Sequence, residues 1–438
     1  MAVVYPRCCG LDVHKESVVA CVMVSHDQGT SVRKRTFGTF TKDLHRLRLW
    51  LHACKVTHVA MESTGVYWKP VWNILEPHFQ LVLLNPAWVK AQAGHKTDQK
   101  DSERIADLLQ QNKVKPSFVP PVWVRQLRDL VRYRLKLQQE NSRVRNRIQK
   151  LLEDANLKLG VVVSDCFGLT GRSILRDLRQ GRTEAAFLAE YARGSLRLHK
   201  PELKLALQGY FTDHHRFLLD RLLAHLEFLE AQVSQLESEI RSRLTEHVAV
   251  LALLCTIPGV DEITAWTIVA ELGADSTPFE DADHLASWAG LCPGNNESAG
   301  KRKHSHTCKA NPYLRRALTE SAWASSHTKE SYLNGLFVRL RARLGQKAAI
   351  VAVAHQIVRI IYCMLRDQVP YRELGASYFD LLHRERTVKR LTKRLASMGL
   401  AVTLQPLPSP PRPDSPTPPS KGRPRKCVPN LYATNTTT

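Results

Sequence analysis

The sequence predicts a mixed α/β domain at the N-terminus, then a long helical, coiled-coil-like linker, a mostly α-helical C-terminal domain and a disordered tail. Three observations predict it. Residues 7 to 37 hold three apolar or alternating runs, CCGLDV, SVVACVMVS and SVRKRTFGTF, parted by short polar turns such as HKE and HDQGT. Helix-like and strand-like segments then alternate up to about residue 115. From residue 122 the apolar spacing turns to threes and fours over two long stretches.

In order, the three runs read as a β-meander. A helix is expected near 41 to 54, TKDLHRLRLWLHAC, with Thr41 as its N-cap. The strand THVAMES follows, then a helix opening at Thr64-Gly65. QLVLLNP is a further strand, stopped by Pro86, and a helix runs from about Asp101 through ERIADLLQQ. Three antiparallel strands followed by alternating helices and strands describe an RNase H-like α/β fold.

Residues 122 to 158 read as a long basic helix, with nine lysines and arginines between Arg125 and Lys150 against only Asp129 and Glu140. A second long helix is expected over 215 to 247. There Leu219, Leu222, Leu226, Leu229, Val233, Leu236 and Ile240 form a heptad seam. The seam suits a helical hairpin with the basic helix or a dimer zipper, and a coiled-coil element contributing to oligomerisation is the favoured reading. The expected domains are 1–115, 116–248, 249–370 and 371–438, the last being a helical extension and a Pro-rich basic tail. Its KGRPRK, 421 to 426, resembles a minor-groove AT-hook and equally suits a generic basic tail.

The net charge is +22 and the pI about 9.7, which favours a polyanionic partner, nucleic acid before an anionic membrane. No secretory signal is expected, because MAVVYPRCCG has no apolar core. No membrane span is expected either, since the best candidate, 348 to 365, carries His355 and Arg359. Ten scattered cysteines without a C-x-x-C pair read as reduced thiols of a cytoplasmic protein. Cys292, His304, His306 and Cys308 are zinc-ligand types, but their spacing fits no common zinc site.

Asp12 stands inside an otherwise apolar strand, where an unpaired charge costs several kcal/mol. Glu62 ends the strand HVAMES, and Asp98 and Asp101 lie in KTDQKDSERIADLL. A spacing of three puts those two aspartates on one face if the helix already includes Asp98. In an RNase H-like fold the strand of Glu62 neighbours that of Asp12. Four converging carboxylates repel one another unless divalent cations neutralise them. Mg²⁺ prefers such hard oxygen ligands, and two ions about 3.5–4 Å apart clamp a phosphodiester in transfer. Taken singly, each acid equally suits a strand end or a helix cap. His14 and Lys15 suit either phosphate contact or a turn.

In the C-terminal part, LLCTIPGVDEITAWTIVAELG, 253 to 273, looks like a helix-hairpin-helix offering backbone N–H groups to a phosphate. Beyond it, in NNESAGKRKHSHTCKANPYLRRAL, a Gly/Asn/Ser-rich loop surrounds Ser298 with Lys301, Arg302, Lys303 and Lys309, and Arg315 and Arg316 follow on a helix. A serine ringed by cations can bind a phosphate or attack it, given an activating base or metal. Ser305 competes with Ser298 for that role.

GLDVHK, MESTG, KTDQKD, IPGV, ASWAGLCPGNNESAGKRK and NPYLRRAL, in this order from about residue 8 to 330, resemble the DEDD transposases of the IS-one-ten insertion-sequence family and their Piv-type invertase relatives. The resemblance implies a RuvC-like N-terminal domain, a coiled-coil linker and a C-terminal transposase domain. It implies that Asp12, Glu62, Asp98 and Asp101 hold Mg²⁺ or Mn²⁺. It implies that Ser298 forms a covalent phosphoserine link to DNA. It also implies guidance by a structured non-coding bridge RNA, with the basic helix and its Arg125, Arg128, Arg132, Arg143 and Arg147 as the place for nucleic-acid contact. One departure stands out: many members have Ser-Gly where this chain has Ser298-Ala299, with Gly300 one place later. The expected function is a transposase or recombinase acting on insertion-sequence ends and target DNA as a homo-oligomer, dimer or tetramer, in the bacterial cytoplasm and associated with the nucleoid. The alternatives are a RuvC-like Holliday-junction-type endonuclease using water, and a non-catalytic nucleic-acid-binding protein.

Overall fold

The computed structural model describes residues 3–26, 29–63, 65–85, 98–293, 296–298, 301–304, 307, 310–382 and 384–405. The chain divides into two compact units, Met1–Pro120 and Pro121–Thr438.

The first unit is built on a five-stranded mixed sheet. Its strands are β1 (Arg7–Val13), β2 (Ser17–His26), β3 (Gly29–Gly38), β4 (His58–Glu62) and β5 (Gln80–Leu84), in the order β3-β2-β1-β4-β5. The meander β1–β3 is antiparallel, whereas β4 runs parallel to both β1 and β5. Strand alternation sorts the side chains onto two faces. Cys9, Leu11 and Val13 of β1 join Val59 and Met61 of β4 on one face. That face is covered by α1 (Thr41–Ala53) through Leu44, Leu47 and Leu51, and by α2 (Trp68–Leu75) through Val71 and Leu75. Cys8, Cys21 and Ala60 lie on the other face, beneath Ile105, Ala106 and Leu109 of α3 (Asp98–Gln110). Each fully buried aliphatic chain here contributes roughly 1.5–3 kcal/mol.

Two local expectations change. Thr41 is the first residue of α1 rather than its cap; Phe40 holds the cap position without a side-chain bond. The second helix opens at Trp68, and Thr64 and Pro86 lie outside the described residues.

The second unit is helical apart from one short hairpin. Its spine is α4 (Val122–Asp154), followed by α5 (Leu169–Arg179) and α6 (Asp213–Arg243). Helices α4 and α6 run antiparallel: Arg134 pairs with Glu237, Arg145 with Glu230, and Asp154 meets His215. Leu219, Leu226, Leu229 and Val233 of the heptad seam are buried with Leu137, Val144, Ile148 and Leu152 of α4. These seam residues thus pack in a hairpin within one chain, the first of the two arrangements the sequence allowed. Apolar side chains of α6 need one partner helix, and the nearest sequence able to supply it precedes them in the same chain.

Further helices of the unit are α7 (Val248–Leu254), α8 (Glu262–Leu272), α9 (Ala282–Trp288), α10 (Pro312–Ser325), α11 (Tyr332–Leu344) and α12 (Gln346–Asp367). By length and composition α12 is able to cross a membrane. Its Ile350, Val353, Ile357, Val358 and Ile361 are instead buried, and it packs on α9, α10 and α11 as a core helix. The tail from 406, including the AT-hook-like stretch, lies outside the described residues.

Candidate catalytic carboxylate face

The register of the sheet fixes where two of the four predicted acids stand. β1 and β4 pair in parallel from Cys8 with His58 to Leu11 with Met61, so Asp12 and Glu62 are the next residues on adjacent strands. Alternation puts Asp12 on the face of Cys8 and Gly10, and Glu62 on that of Ala60. This is the face that α3 covers.

The helix also runs in a defined direction. The Gln110 carbonyl accepts from the backbone N–H groups of Val4 (2.9 Å) and Tyr5 (3.2 Å), just before β1 begins. The Cys8 thiol lies 3.5 Å from the Ala106 carbonyl, and Gly10 lies beneath Ser102–Ala106. Going up β1 therefore means going back along α3. The N-terminal end of α3, with Asp98 and Asp101, faces the end of β1 that carries Asp12. The helix begins at Asp98, so both aspartates lie in its first turn. The Asp98 side chain lies outside the described residues, and Asp101 is half-buried.

His14 reaches back to Asp12, with Nε2 3.0 Å from Oδ2. The Asp12 side chain is 14% exposed and that of His14 47%, so the imidazole roofs a largely shielded carboxylate. The sequence offered phosphate contact or a turn for His14; the structure adds this contact to Asp12. Lys34 of β3 lies on the same face and donates to Glu103 of α3 at 2.6 Å, fastening the helix to the far side of the sheet.

As a donor set, Asp12, Glu62 and Asp101 offer hard carboxylate oxygens on one face, the kind Mg²⁺ or Mn²⁺ takes. Among the described residues no three His, Cys, Asp or Glu side chains are gathered around a common point as they stand. The chemistry of the set fits a divalent cation.

Ser298 ends the short strand β6 (Asn296–Ser298), which pairs antiparallel with β7 (Lys301–His304). The stretch expected as a loop is thus a hairpin in which Ser298 stands opposite Lys301 and Glu297 opposite Arg302. Residues 299–300, 305, 306, 308 and 309 lie outside the described residues, as do the side chains of Ser298, Lys301, Arg302 and Lys303. Asn311 caps α10, accepting from Tyr313 N–H and Leu314 N–H at 3.1 Å, and so fixes the exit of the hairpin segment. On α10, Arg315 is half-buried and exposed Arg316 bonds Glu320 at 2.8 Å.

The basic helix α4 splits into two kinds of cation. Arg132 grips the buried Glu271 with two bonds of 2.8 Å, and Arg128 bonds the Ala270 and Glu271 carbonyls at 3.0 and 2.9 Å. Asn311 adds a bond of 2.7 Å to the same carboxylate. These two arginines, expected on nucleic acid, are turned inward by an acid of α8 that the sequence reading passed over. Its signal was a lone glutamate in the apolar run WTIVAELG. Arg125 is half-buried, whereas Arg143, Arg147 and Lys150 are exposed on the outer side of α4.

The expected phosphate seat of the helix-hairpin-helix is also altered. α7 and α8 are joined by the turn containing Gly259, but Asp261 caps α8, its carboxylate accepting from Thr264 N–H at 2.8 Å. The Asp261 carboxylate thus takes one of the free N–H groups at the start of α8.

Sheet order, register and acid placement define a mixed-sheet domain of RNase H-like type with a carboxylate-bearing face, joined to a helical unit. Residues 9–156 match the DEDD transposase model of the IS110 (IS-one-ten) family, and residues 251–335 match the transposase model of the IS116/IS110/IS902 family. The chain belongs to this family of transposases. It is 23% identical over 376 residues to the pilin gene-inverting protein of Moraxella bovis, covering 83% of this chain and 96% of the relative. The corresponding protein of Moraxella lacunata matches to the same extent. An uncharacterized 43.6 kDa protein of insertion element IS110 from Streptomyces coelicolor is 27% identical over 296 residues, 63% of this chain and 72% of the relative.

Proposed function

We propose that this transposase cuts and rejoins DNA with two sets of groups: the carboxylates Asp12, Glu62, Asp98 and Asp101, and the hydroxyl of Ser298. The observation that carries the reading is the placement of Asp12 and Glu62 at matching positions on one face of the sheet, under a helix that begins with the aspartate pair. A divalent cation held there, Mg²⁺ or Mn²⁺, would supply positive charge to a scissile phosphate. Asp12, Glu62, Asp98 and Asp101 would hold that cation, and His14 steadies Asp12. Ser298 attacks phosphorus; its O–H bond is given up, a phosphoserine ester forms, and the P–O bond to the sugar breaks to release a free hydroxyl. Attack by a new strand's hydroxyl reverses these changes, so strands are exchanged without an external energy source. Lys301, Arg302, Lys303, Arg315 and Arg316 hold the surrounding phosphates.

The name of the Moraxella relatives, gene-inverting proteins, supports a rejoining enzyme over one that only cuts. A guiding bridge RNA lies on the exposed cations Arg143, Arg147 and Lys150 of α4. A homo-oligomer in the bacterial cytoplasm brings two DNA sites together, through a surface other than the heptad seam.

The test uses protein purified from cells that also carry the DNA flanking its gene, so that any RNA comes with it. Incubated with Mg²⁺ and a supercoiled plasmid bearing the element ends, wild type gives nicked products and a protein–DNA adduct that survives denaturation. Ser298→Ala loses both, and so does Asp12→Ala. Undiminished cutting by Ser298→Ala refutes the serine step and leaves a water-using nuclease.

A further inference from the structure

We propose that Gly10 is a positioning residue of the carboxylate face: by carrying no side chain it lets α3 lie directly on β1 and sets how closely Asp101 and Asp98 approach Asp12 and Glu62. The inference rests on reading these acids as a divalent-metal site.

A glycine in a central strand weakens it, through lost chain entropy and absent packing, and so needs a reason. Conformation is not that reason, because Gly10 is absent from the glycines of positive φ and pairs regularly with Cys21 and Ala60. Space is. A Cβ on Gly10 would collide with the Ser102 carbonyl oxygen and the Ala106 amide nitrogen, and would stand 3.0 Å from the Ile105 carbonyl carbon. All three are backbone atoms of α3, so no side chain can swing aside and the helix as a whole must lift. The helix is also trimmed where it crosses. Ser102 and Ala106, one turn apart, are both completely buried. Among the described residues the Ser102 hydroxyl has no hydrogen-bond partner, a small polar group at the point of contact.

The crossing point is close to the acids. Gly10 is two residues before Asp12 on the same strand face, and Ser102 follows Asp101 directly. A lift at this fulcrum moves the aspartates away from the sheet carboxylates. Inner-sphere bonds to Mg²⁺ are only about 2.0–2.1 Å long and geometrically strict, so a small lift breaks a shared site.

The test titrates full-length protein with Mn²⁺ by calorimetry and follows thermal unfolding in EDTA. Gly10→Ala and Ala106→Val are expected to unfold cooperatively without metal but to bind Mn²⁺ about 10- to 100-fold more weakly, as supporting residues of metal sites do. Ser102→Ala keeps the volume and is expected to retain wild-type affinity. Wild-type Mn²⁺ affinity in either folded Gly10→Ala or Ala106→Val overturns the inference while leaving the metal site standing. If Gly10→Ala does not fold, Ala106→Val decides alone. A different result, wild type taking up no Mn²⁺ or Asp12→Asn binding it as tightly, overturns the metal reading and the inference with it.

Discussion

Asp12 and Glu62 occupy matching positions on neighbouring parallel strands: the ladder pairs Leu11 with Met61, and the next residue on each strand is the acid. Two carboxylates so placed repel one another, which a protein without a use for them would avoid. Replacing either by its amide removes that repulsion. Asp12→Asn and Glu62→Gln are therefore expected to melt at or above the wild-type temperature in EDTA and to lose the stabilisation that Mg²⁺ gives wild type. Differential scanning fluorimetry with and without Mg²⁺ checks both halves. An unchanged Mg²⁺ response in both variants contradicts the assignment.

Glu271 is completely buried, and its carboxylate is held by Arg132 and Asn311, with Arg128 on the adjoining carbonyls. Removing one member of such a network strands the others in a dry site, at about 3–5 kcal/mol. Glu271→Ala is expected to lower the urea midpoint of the second unit accordingly, and Glu271→Gln, which keeps two polar atoms, to do so less. A loss below about 1 kcal/mol for Glu271→Ala refutes this role.

The two classes of arginine on α4 separate by salt dependence. Arg143→Ala with Arg147→Ala is expected to leave stability unchanged and to reduce the slope of log affinity against log salt by about 2, if each meets one phosphate. Arg128→Ala is expected to lower stability with little change in slope. Filter binding at several salt concentrations, beside thermal melts, reads both.

Burial pushes the Cys8 thiol up to about 12 and the Cys21 thiol to about 11, from an ordinary value of 9.0. With folded values raised, the stability these neutral thiols contribute is complete below pH 9. It falls as pH climbs through 9 to 12, where only the unfolded chain ionises. The loss is roughly 1 kcal/mol per thiol at pH 10. Urea titrations at pH 8 and pH 10 are expected to show this decline, and Cys8→Ala with Cys21→Ala to reduce it, the part due to buried Cys9 and Cys166 remaining. Both thiols are expected to resist a thiol reagent at pH 8 until the protein unfolds.

The strand meander, the alternation that follows and the long helices were legible because their apolar periods are strong and local. So was the placing of Asp12 and Glu62 on neighbouring strands, since strand order carries it. What escaped was decided by partners distant in sequence. The heptad seam of α6 cannot announce whether its partner is α4 or a second copy. Arg128 and Arg132 look like any exposed basic residues until Glu271, some 140 positions away, is placed among them. Asp261 reads as part of a phosphate-binding turn until its carboxylate is seen filling the helix end. The Ser298 segment, rich in Gly, Asn and Ser, has loop composition, and only pairing with β7 makes it a strand.

Under the proposed function, acids from β1, β4 and α3 share divalent cations. Crystals grown with Mn²⁺ and measured at the manganese absorption edge test it most directly. Anomalous density bridging Asp12, Glu62 and the α3 aspartates is the expected result. Manganese density confined to other residues, with these four acids bare at saturating Mn²⁺, contradicts it.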